Sequence, residues 1–343
     1  MTLDLDLQAI DSALGDAWDG LRGARLFVTG GTGFIGRWML EALAFADRRR
    51  GLGVSATVLT RDPAAFAGKA PHLAAYPAFR FVKGDVLTLT PDEGRYTHVL
   101  HAATDASADL TNNHPLRMFD TVVMGTRRAL GFAVAARAER FFFFSSGAVY
   151  GAQPWDVTHV AEDWPGGPNP RVPANTYAEA KRAAEMLCAI YAKSHGLDVV
   201  NARIFALLGP LLSLDIHFAA GNFIRDALAG RTIRVEGAGT AVRSYLYAAD
   251  LAAWLWTILL RAKPGAAYNV GSEEAVSIAD LARRTAALLG TAGHEVLGRP
   301  DPGWNPGRYV PSTALIRREL GVTQTVGLDE AIRRTAASHG WKP

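Results

Sequence analysis

The sequence predicts an α/β protein, a Rossmann-type doubly wound parallel sheet carrying a smaller mixed α/β substrate-binding cap. Short apolar runs alternate with helical stretches over the first two hundred residues. Those runs are apolar on both faces, as strands covered by helices on both sides must be. A glycine-rich loop stands directly between the first strand and the first helix. The length of 343 residues, 49% hydrophobic and 20% charged, can bury a sizeable core and excludes a disordered or fibrous chain. Thirty-six Lys+Arg against 33 Asp+Glu give +3, too weak a balance to imply a nucleic-acid partner. One cysteine, Cys188, excludes an intrachain disulfide and a thiolate metal cluster. The N-terminus alternates Leu and Asp instead of showing the basic-then-apolar pattern of a secretory signal. Stretches such as Leu251–Leu260 are too short to span a bilayer. No membrane association is expected, and the expected compartment is the cytoplasm.

Ala24–Thr29 is the first strand, and Phe34–Arg50 the helix after the glycine loop. Val54–Leu59, Phe79–Val82 and Thr97–His101 are the next three strands, and Pro115–Arg140 is a long helix. Phe141–Phe144 forms a fifth strand ending in Ser145-Ser146. Right-handed crossovers between such strands give the doubly wound sheet. Five prolines, three glycines and two tryptophans between Gly151 and Pro173 mark a long irregular segment over the carboxyl end of that strand. Helix Ala174–His195 and strand Leu197–Phe205 follow. Beyond Gly209-Pro210 the alternation weakens. His217–Ala229, Ala248–Arg261, Ser277–Leu289 and Pro311–Leu320 read as helices, and Thr232–Val235 as a short strand. Residues 20–210 are therefore mainly the dinucleotide-binding part. Residues 211–335 are mainly the substrate-binding part, with some elements returning to the core.

In Thr29-Gly30-Gly31-Thr32-Gly33-Phe34-Ile35-Gly36, Gly30 can make the tight turn and Gly33 can let a pyrophosphate approach backbone N–H groups at the helix start. Gly36 permits close packing of helix on sheet, and the loop lacks the Gly-Lys-Ser/Thr ending of a triphosphate loop. At the end of the second strand Thr60 stands where NAD sites carry an acid, and Arg61 offers a cation to a 2′-phosphate. NADP(H) is the favoured cofactor. NAD(H) stays open through Asp62, which takes the ribose if it turns inward. Asp85, followed by Val86 after the third strand, can accept from an adenine amino group or simply cap a helix.

Tyr177 and Lys181 lie four residues apart on one helix face. A nearby ammonium and a positive nicotinamide both favour tyrosinate and are expected to lower the phenol's pKa toward that of a useful base. Ser146 ends the fifth strand at the same carboxyl edge, where a hydroxyl can polarise the reacting oxygen. His98 and His101 sit three apart on a strand, on opposite faces, so no metal site is expected. Arg48-Arg49-Arg50 reads as a solvated helix end suited to the dipole, and Trp254 and Trp256 as packing residues.

These motifs resemble the NAD-dependent epimerase/dehydratase group of the extended short-chain dehydrogenases/reductases. The resemblance rests on Gly30 to Gly36, His101-Ala102-Ala103, Ser145 to Gly151, Tyr177-Ala178-Glu179-Ala180-Lys181, and Gly237-Ala238-Gly239 with Arg243 and Asp250. It implies that Ser146, Tyr177 and Lys181 are catalytic and that Lys181 also holds the nicotinamide ribose. Gly30, Thr32, Gly33, Phe34, Ile35, Gly36, Arg61, Asp85, Val86, His101, Ala102, Ala103, Tyr177 and Lys181 would line the cofactor, and Ser146, Gly147 and Ala148 would lie against the substrate. Arg243 would meet the diphosphate of a nucleotide sugar, and two copies would join through the two long helices.

The departures narrow the subclass. Sugar 4,6-dehydratases of this group carry an Asp-Glu pair where this chain has Gly147 and Ala148, and neither can transfer a proton. Ala206 stands where many members have an asparagine on the sugar diphosphate; His217 and Asn222 are candidates to compensate from the cap. The reading is a nucleotide-sugar C4 epimerase or 4-ketoreductase. A 4,6-dehydratase, a reductase of a non-nucleotide ketone and a non-catalytic dinucleotide sensor are the alternatives.

Overall fold

The computed structural model describes residues 2–90, 94–104, 113–215, 219–291, 293–301 and 307–342. Its central sheet has seven parallel strands: β1 (Arg25–Thr29), β2 (Ser55–Thr60), β3 (Phe79–Lys83), β4 (His98–His101), β5 (Arg140–Ser146), β6 (Asp198–Ile204) and β7 (Ala267–Val270). Their spatial order is β7-β6-β5-β4-β1-β2-β3. The order reverses between β1 and β4, which is where open α/β sheets place their ligands. The expected doubly wound sheet is therefore present. It gains β7, which the sequence reading had left unassigned, against β6.

The four consecutive phenylalanines of β5 show how both faces are covered. Phe141 and Phe143 join the core under two long helices, α3 (Pro115–Ala135) and α4 (Thr176–His195), which pack on each other. Phe142 and Phe144 point into the opposite core, shared with α2 (Phe34–Arg50) and α5 (Ala248–Arg261). Side chains alternate across a strand, so an all-apolar run requires apolar layers on both sides. Trp254 and Trp256 are buried in the second layer, as expected of packing residues.

One boundary and one additional helix differ from expectation for identifiable reasons. Helix α3 stops at Ala135, five residues short, because Arg137 adopts φ 54 to turn the chain into β5. Residues Thr2–Leu14 form α1, which packs on α5 through Leu7, Ile10 and Leu14. The buried Asp11 of α1 pairs with Arg50 at 2.6 Å and Arg49 at 3.2 Å, while Arg48 lies over the Tyr76 ring. Arg48 and Arg49 remain exposed, as expected of a solvated helix end, while the half-buried Arg50 docks α1.

The carboxyl-terminal third adds short two- and three-stranded pairings. Val242–Arg243 lies between Val276–Ser277 and Arg308–Tyr309, and this ribbon delivers Tyr309 to the carboxyl ends of β5 and β6. Among the described residues no helix is long and apolar enough to cross a membrane.

Candidate active site

The site is built at the carboxyl ends of β1, β4 and β5. His101 ends β4 opposite Thr29 of β1. Its Nδ1 lies 2.7 Å from Thr29 Oγ1 and its Nε2 3.1 Å from Thr126 Oγ1. Thr126 donates its own proton to the Val122 carbonyl at 2.6 Å, so His101 Nε2–H must be the donor and Nδ1 accepts from Thr29. A neutral ring is what this arrangement needs, and burial holds the His101 pKa down at about 3. The ring is fully engaged inside the protein. His101 therefore serves by fixing the strand ends and offers no ring nitrogen to a ligand. His98, also pushed down by burial to about 4, bonds Thr97, and no metal-ligating cluster exists among the described residues.

The strand ends determine the glycine loop. Gly30 adopts φ +71, and a Cβ there would stand 2.5 Å from the Ala102 carbonyl. A Cβ on Gly36 would overlap the Gly30 carbonyl oxygen, which accounts for close helix packing. Gly33 is different. It has φ −80 at the N-cap of α2, with nothing closer to a built Cβ than 3.4 Å, and no side chain caps the helix. Nothing in the protein itself demands glycine there. The space a methyl would fill lies beside the open N-terminus of a 17-residue helix, a natural seat for a pyrophosphate. Thr32 approaches Thr60 at 3.4 Å, and Thr60 is buried at the end of β2. Asp62 uses its carboxylate to cap the following helix, accepting from Ala65 N–H at 2.9 Å, while Arg61 is exposed. Asp85 likewise caps a short turn through Leu87 N–H at 2.8 Å, and Val86 is buried.

Ser146, Tyr177 and Lys181 come together. The Ser146 hydroxyl accepts from Ala148 N–H at 3.2 Å and stands near enough to the Tyr177 phenol to favour its ionised form. Lys181 is buried, donating to the Phe144 carbonyl at 2.7 Å and to Thr104 Oγ1 at 2.9 Å. The expected lowering of the Tyr177 pKa is not found in the ligand-free chain. Burial pushes the phenol up, opposed only by the Ser146 hydroxyl. The ammonium sits 5.9 Å over the Tyr177 ring centroid and binds neutral oxygens, while burial pulls Lys181 down to about 7. Desolvation outweighs pairing here.

Sequence reasoning missed Tyr309, whose hydroxyl lies 3.4 Å from Ser146 Oγ and whose ring stacks at 4.5 Å on Phe205. Its two-residue strand carries no periodic signal. Phe205 also explains Gly147, since a Cβ there would meet the ring at 2.5 Å. Arg243 pairs in register with Tyr309, anchored on the Val242 and Gly307 carbonyls at 2.8 and 3.2 Å. Asn222 lies half-buried on the cap helix Ala219–Leu228; His217 falls outside the described residues.

The arrangement matches a known family over most of its length. The model for the "NAD dependent epimerase/dehydratase family" matches residues 26–271. The chain belongs to the NAD-dependent epimerase/dehydratase family. It is an enzyme of the extended short-chain dehydrogenase/reductase type, with relatives that act on nucleotide sugars. UDP-glucuronic acid decarboxylase 1 of Xenopus tropicalis is 29% identical over 91% of this chain and 71% of its own length. A dTDP-glucose 4,6-dehydratase of Streptomyces niveus is also 29% identical, over 91% of each chain. Among solved structures, a Thermus thermophilus UDP-glucose 4-epimerase in complex with NAD superposes with a TM-score of 0.75 at 28% identity, covering 92% of this chain and 99% of that one. A nicotinamide dinucleotide suits the open helix start and the space beside Gly33. Gly33, Phe34 and Ile35 would hold its diphosphate, and Lys181 its nicotinamide ribose.

Proposed function

We propose that this epimerase/dehydratase family member works at C4 of a nucleotide sugar, as a 4-epimerase or a 4-ketoreductase. The observation that carries the reading is the meeting of the Ser146 and Tyr177 hydroxyls beside the Lys181 ammonium, with proton-inert Gly147 and Ala148 next to them. Tyr177 takes the proton from O4 as that carbon becomes a ketone, and returns it when the ketone is reduced. Ser146 donates to the same oxygen as its charge changes. Lys181, the nearest cation, favours the tyrosinate once its own proton is secured by the Phe144 carbonyl and Thr104. A bound nicotinamide supplies or accepts the hydride at C4.

Elimination of water across C5 and C6 needs an acid for the leaving hydroxyl and a base for the C5 proton. Loss of carbon dioxide from a 4-keto uronate needs an acid at C5. The Gly147-Ala148 pair can provide neither, which favours epimerisation or reduction at C4 over dehydration or decarboxylation. Arg243, beside Tyr309 on the cap ribbon, is the group for the sugar diphosphate, with Asn222 as a further cap contact. The part from 20 to 210 binds mainly the dinucleotide and the part from 211 to 335 mainly the sugar.

NADP(H) is preferred to NAD(H), because no carboxylate faces the ribose at the end of β2: Thr60 fills the acidic position, Asp62 is a helix cap, and Arg61 stands beside them. Two copies join through α3 and α4, whose outer faces expose Leu116 at 81%, Met124 at 41%, Met186 at 62% and Ile190 at 48%. Incubation with UDP-, dTDP-, GDP- and CDP-sugars, including 4-keto-6-deoxy forms, with either cofactor tests the reading. Isomerisation without net cofactor change identifies an epimerase, and stoichiometric NADPH loss a reductase. A product 18 mass units lighter contradicts both.

A further inference from the structure

Behind the catalytic face the described residues carry a half-buried ionic cluster. Glu185 lies on α4 one turn past Lys181 and two past Tyr177. Its carboxylate accepts from Ser145 Oγ at 2.5 Å and from the Arg203 guanidinium at 2.8, 3.1 and 3.2 Å. Arg203, on β6, donates further to the Tyr150 hydroxyl at 2.8 Å and the Glu162 carbonyl at 2.9 Å. Tyr150 in turn donates to Asn269 Oδ1 on β7 at 2.7 Å, and the Asn269 amide holds the Val160 and Ser312 carbonyls. The cluster therefore joins the helix carrying Tyr177 and Lys181 to the strand end carrying Ser146, and both to the turn and long loop that follow.

A half-buried ion pair is weak evidence for stability, since apolar side chains of equal volume pack as well. What it does impose is orientation and charge. Ser145, the residue before Ser146, is fixed by Glu185, and Lys181 has only neutral oxygens in direct contact. Resting on the reading of Ser146, Tyr177 and Lys181 as catalytic, we propose that Glu185 is a positioning residue: clamped by Arg203, it anchors the carboxyl end of β5 through Ser145 and biases Lys181 toward the ammonium form. Its charge is the foremost influence raising Lys181 against burial. The other titratable or charged groups around the pair include His101 on β4, Tyr177, Arg182 and Cys188 on α4, Arg203 on β6, Tyr150 in the turn and Glu162 in the loop.

The chain has six lysines, so carbon-13 NMR of the ligand-free, lysine-labelled protein can follow Lys181 individually, assigned by its loss in Lys181→Met. Glu185→Gln removes the anion and leaves Arg203, so the Lys181 midpoint is expected about one pH unit lower; Arg203→Gln leaves the anion unneutralised, so the midpoint rises. Glu185→Asp keeps the charge and stays close to the parent value. Opposite signs from two variants of one cluster cannot come from general loosening. A Glu185→Gln midpoint unchanged within about 0.2 pH units, or movement of both variants in one direction, overturns the proposal. On the nucleotide sugar turned over, Glu185→Gln lowers kcat about 10- to 100-fold with KM within about twofold, the mark of misplaced groups. An equal effect on KM alone also overturns it. Full activity of Tyr177→Phe would instead remove the catalytic reading and leave the Lys181 titration standing.

Discussion

The fold itself requires glycine at Gly30, whereas nothing in the protein demands it at Gly33, and alanine at each separates fold from ligand. Gly30→Ala places a side chain at φ +71, costing about 1–2 kcal/mol, and drives its Cβ to 2.5 Å from the Ala102 backbone, adding about 1–3 kcal/mol of overpacking. The sum, about 2–5 kcal/mol, is a large part of a typical stability of about 5–15 kcal/mol. With an unfolding entropy of about 0.7 kcal/mol per kelvin for a chain of this size, Tm falls by roughly 3–7 °C. Gly33→Ala meets open space at an ordinary φ of −80 and exchanges one N-cap for a poorer one, at most about 1 kcal/mol or roughly 1 °C. Its methyl fills the pyrophosphate seat, so NADP(H) and NAD(H) affinity falls about tenfold or more, equivalent to about 1.4 kcal/mol. Calorimetry of the ligand-free variants and fluorescence titration with both cofactors read the two effects. Gly33→Ala that melts as low as Gly30→Ala, or binds cofactor like the parent, refutes the assignment.

Lys181, whose folded pKa of about 7 lies below its unfolded value, makes the unfolded chain the better proton binder above pH 7. Stability of the ligand-free protein should therefore rise from pH 7 toward pH 9, by at most about 1.4 kcal/mol per pH unit, and Lys181→Met should flatten that slope in urea unfolding series. Arg61→Ala should weaken NADPH about tenfold and leave NADH unchanged, since one charge-assisted contact to the 2′-phosphate is lost; equal weakening of both contradicts the NADP(H) preference. Ile190→Glu should convert a dimer to a monomer in light scattering, and a parent that runs as a monomer removes the α3–α4 interface.

The parts of this fold legible in the sequence are those with a local physical signature. Helix α2 and α5 boundaries matched because a glycine loop and an apolar-to-polar change frame them, and β5 because four phenylalanines admit no other place than a doubly covered strand. The placement of Ser146, Tyr177 and Lys181 was legible for the same reason: a strand end and one helix face, which the sheet's topology brings to one edge. What escaped depends on distant partners. Helix α1 is defined by burial of Asp11 against Arg49 and Arg50, and of Asp6 against Tyr247 and Arg334. Strand β7 has only four residues, too few for a period, and is fixed by its pairing with β6. Tyr309 reaches Ser146 across 163 positions of chain. Burial, which pushes the Tyr177 phenol up and the Lys181 ammonium down in the ligand-free chain, is likewise invisible to sequence spacing.

Turnover of Tyr177→Phe on the nucleotide sugar that the parent enzyme converts tests the proton-transfer role most directly. Removing one hydroxyl should lower kcat about 10²- to 10⁴-fold while NADP(H) affinity falls far less, since the role proposed for the phenol is to move a proton. A variant that turns over at the parent rate shows that another group carries the C4 hydroxyl proton.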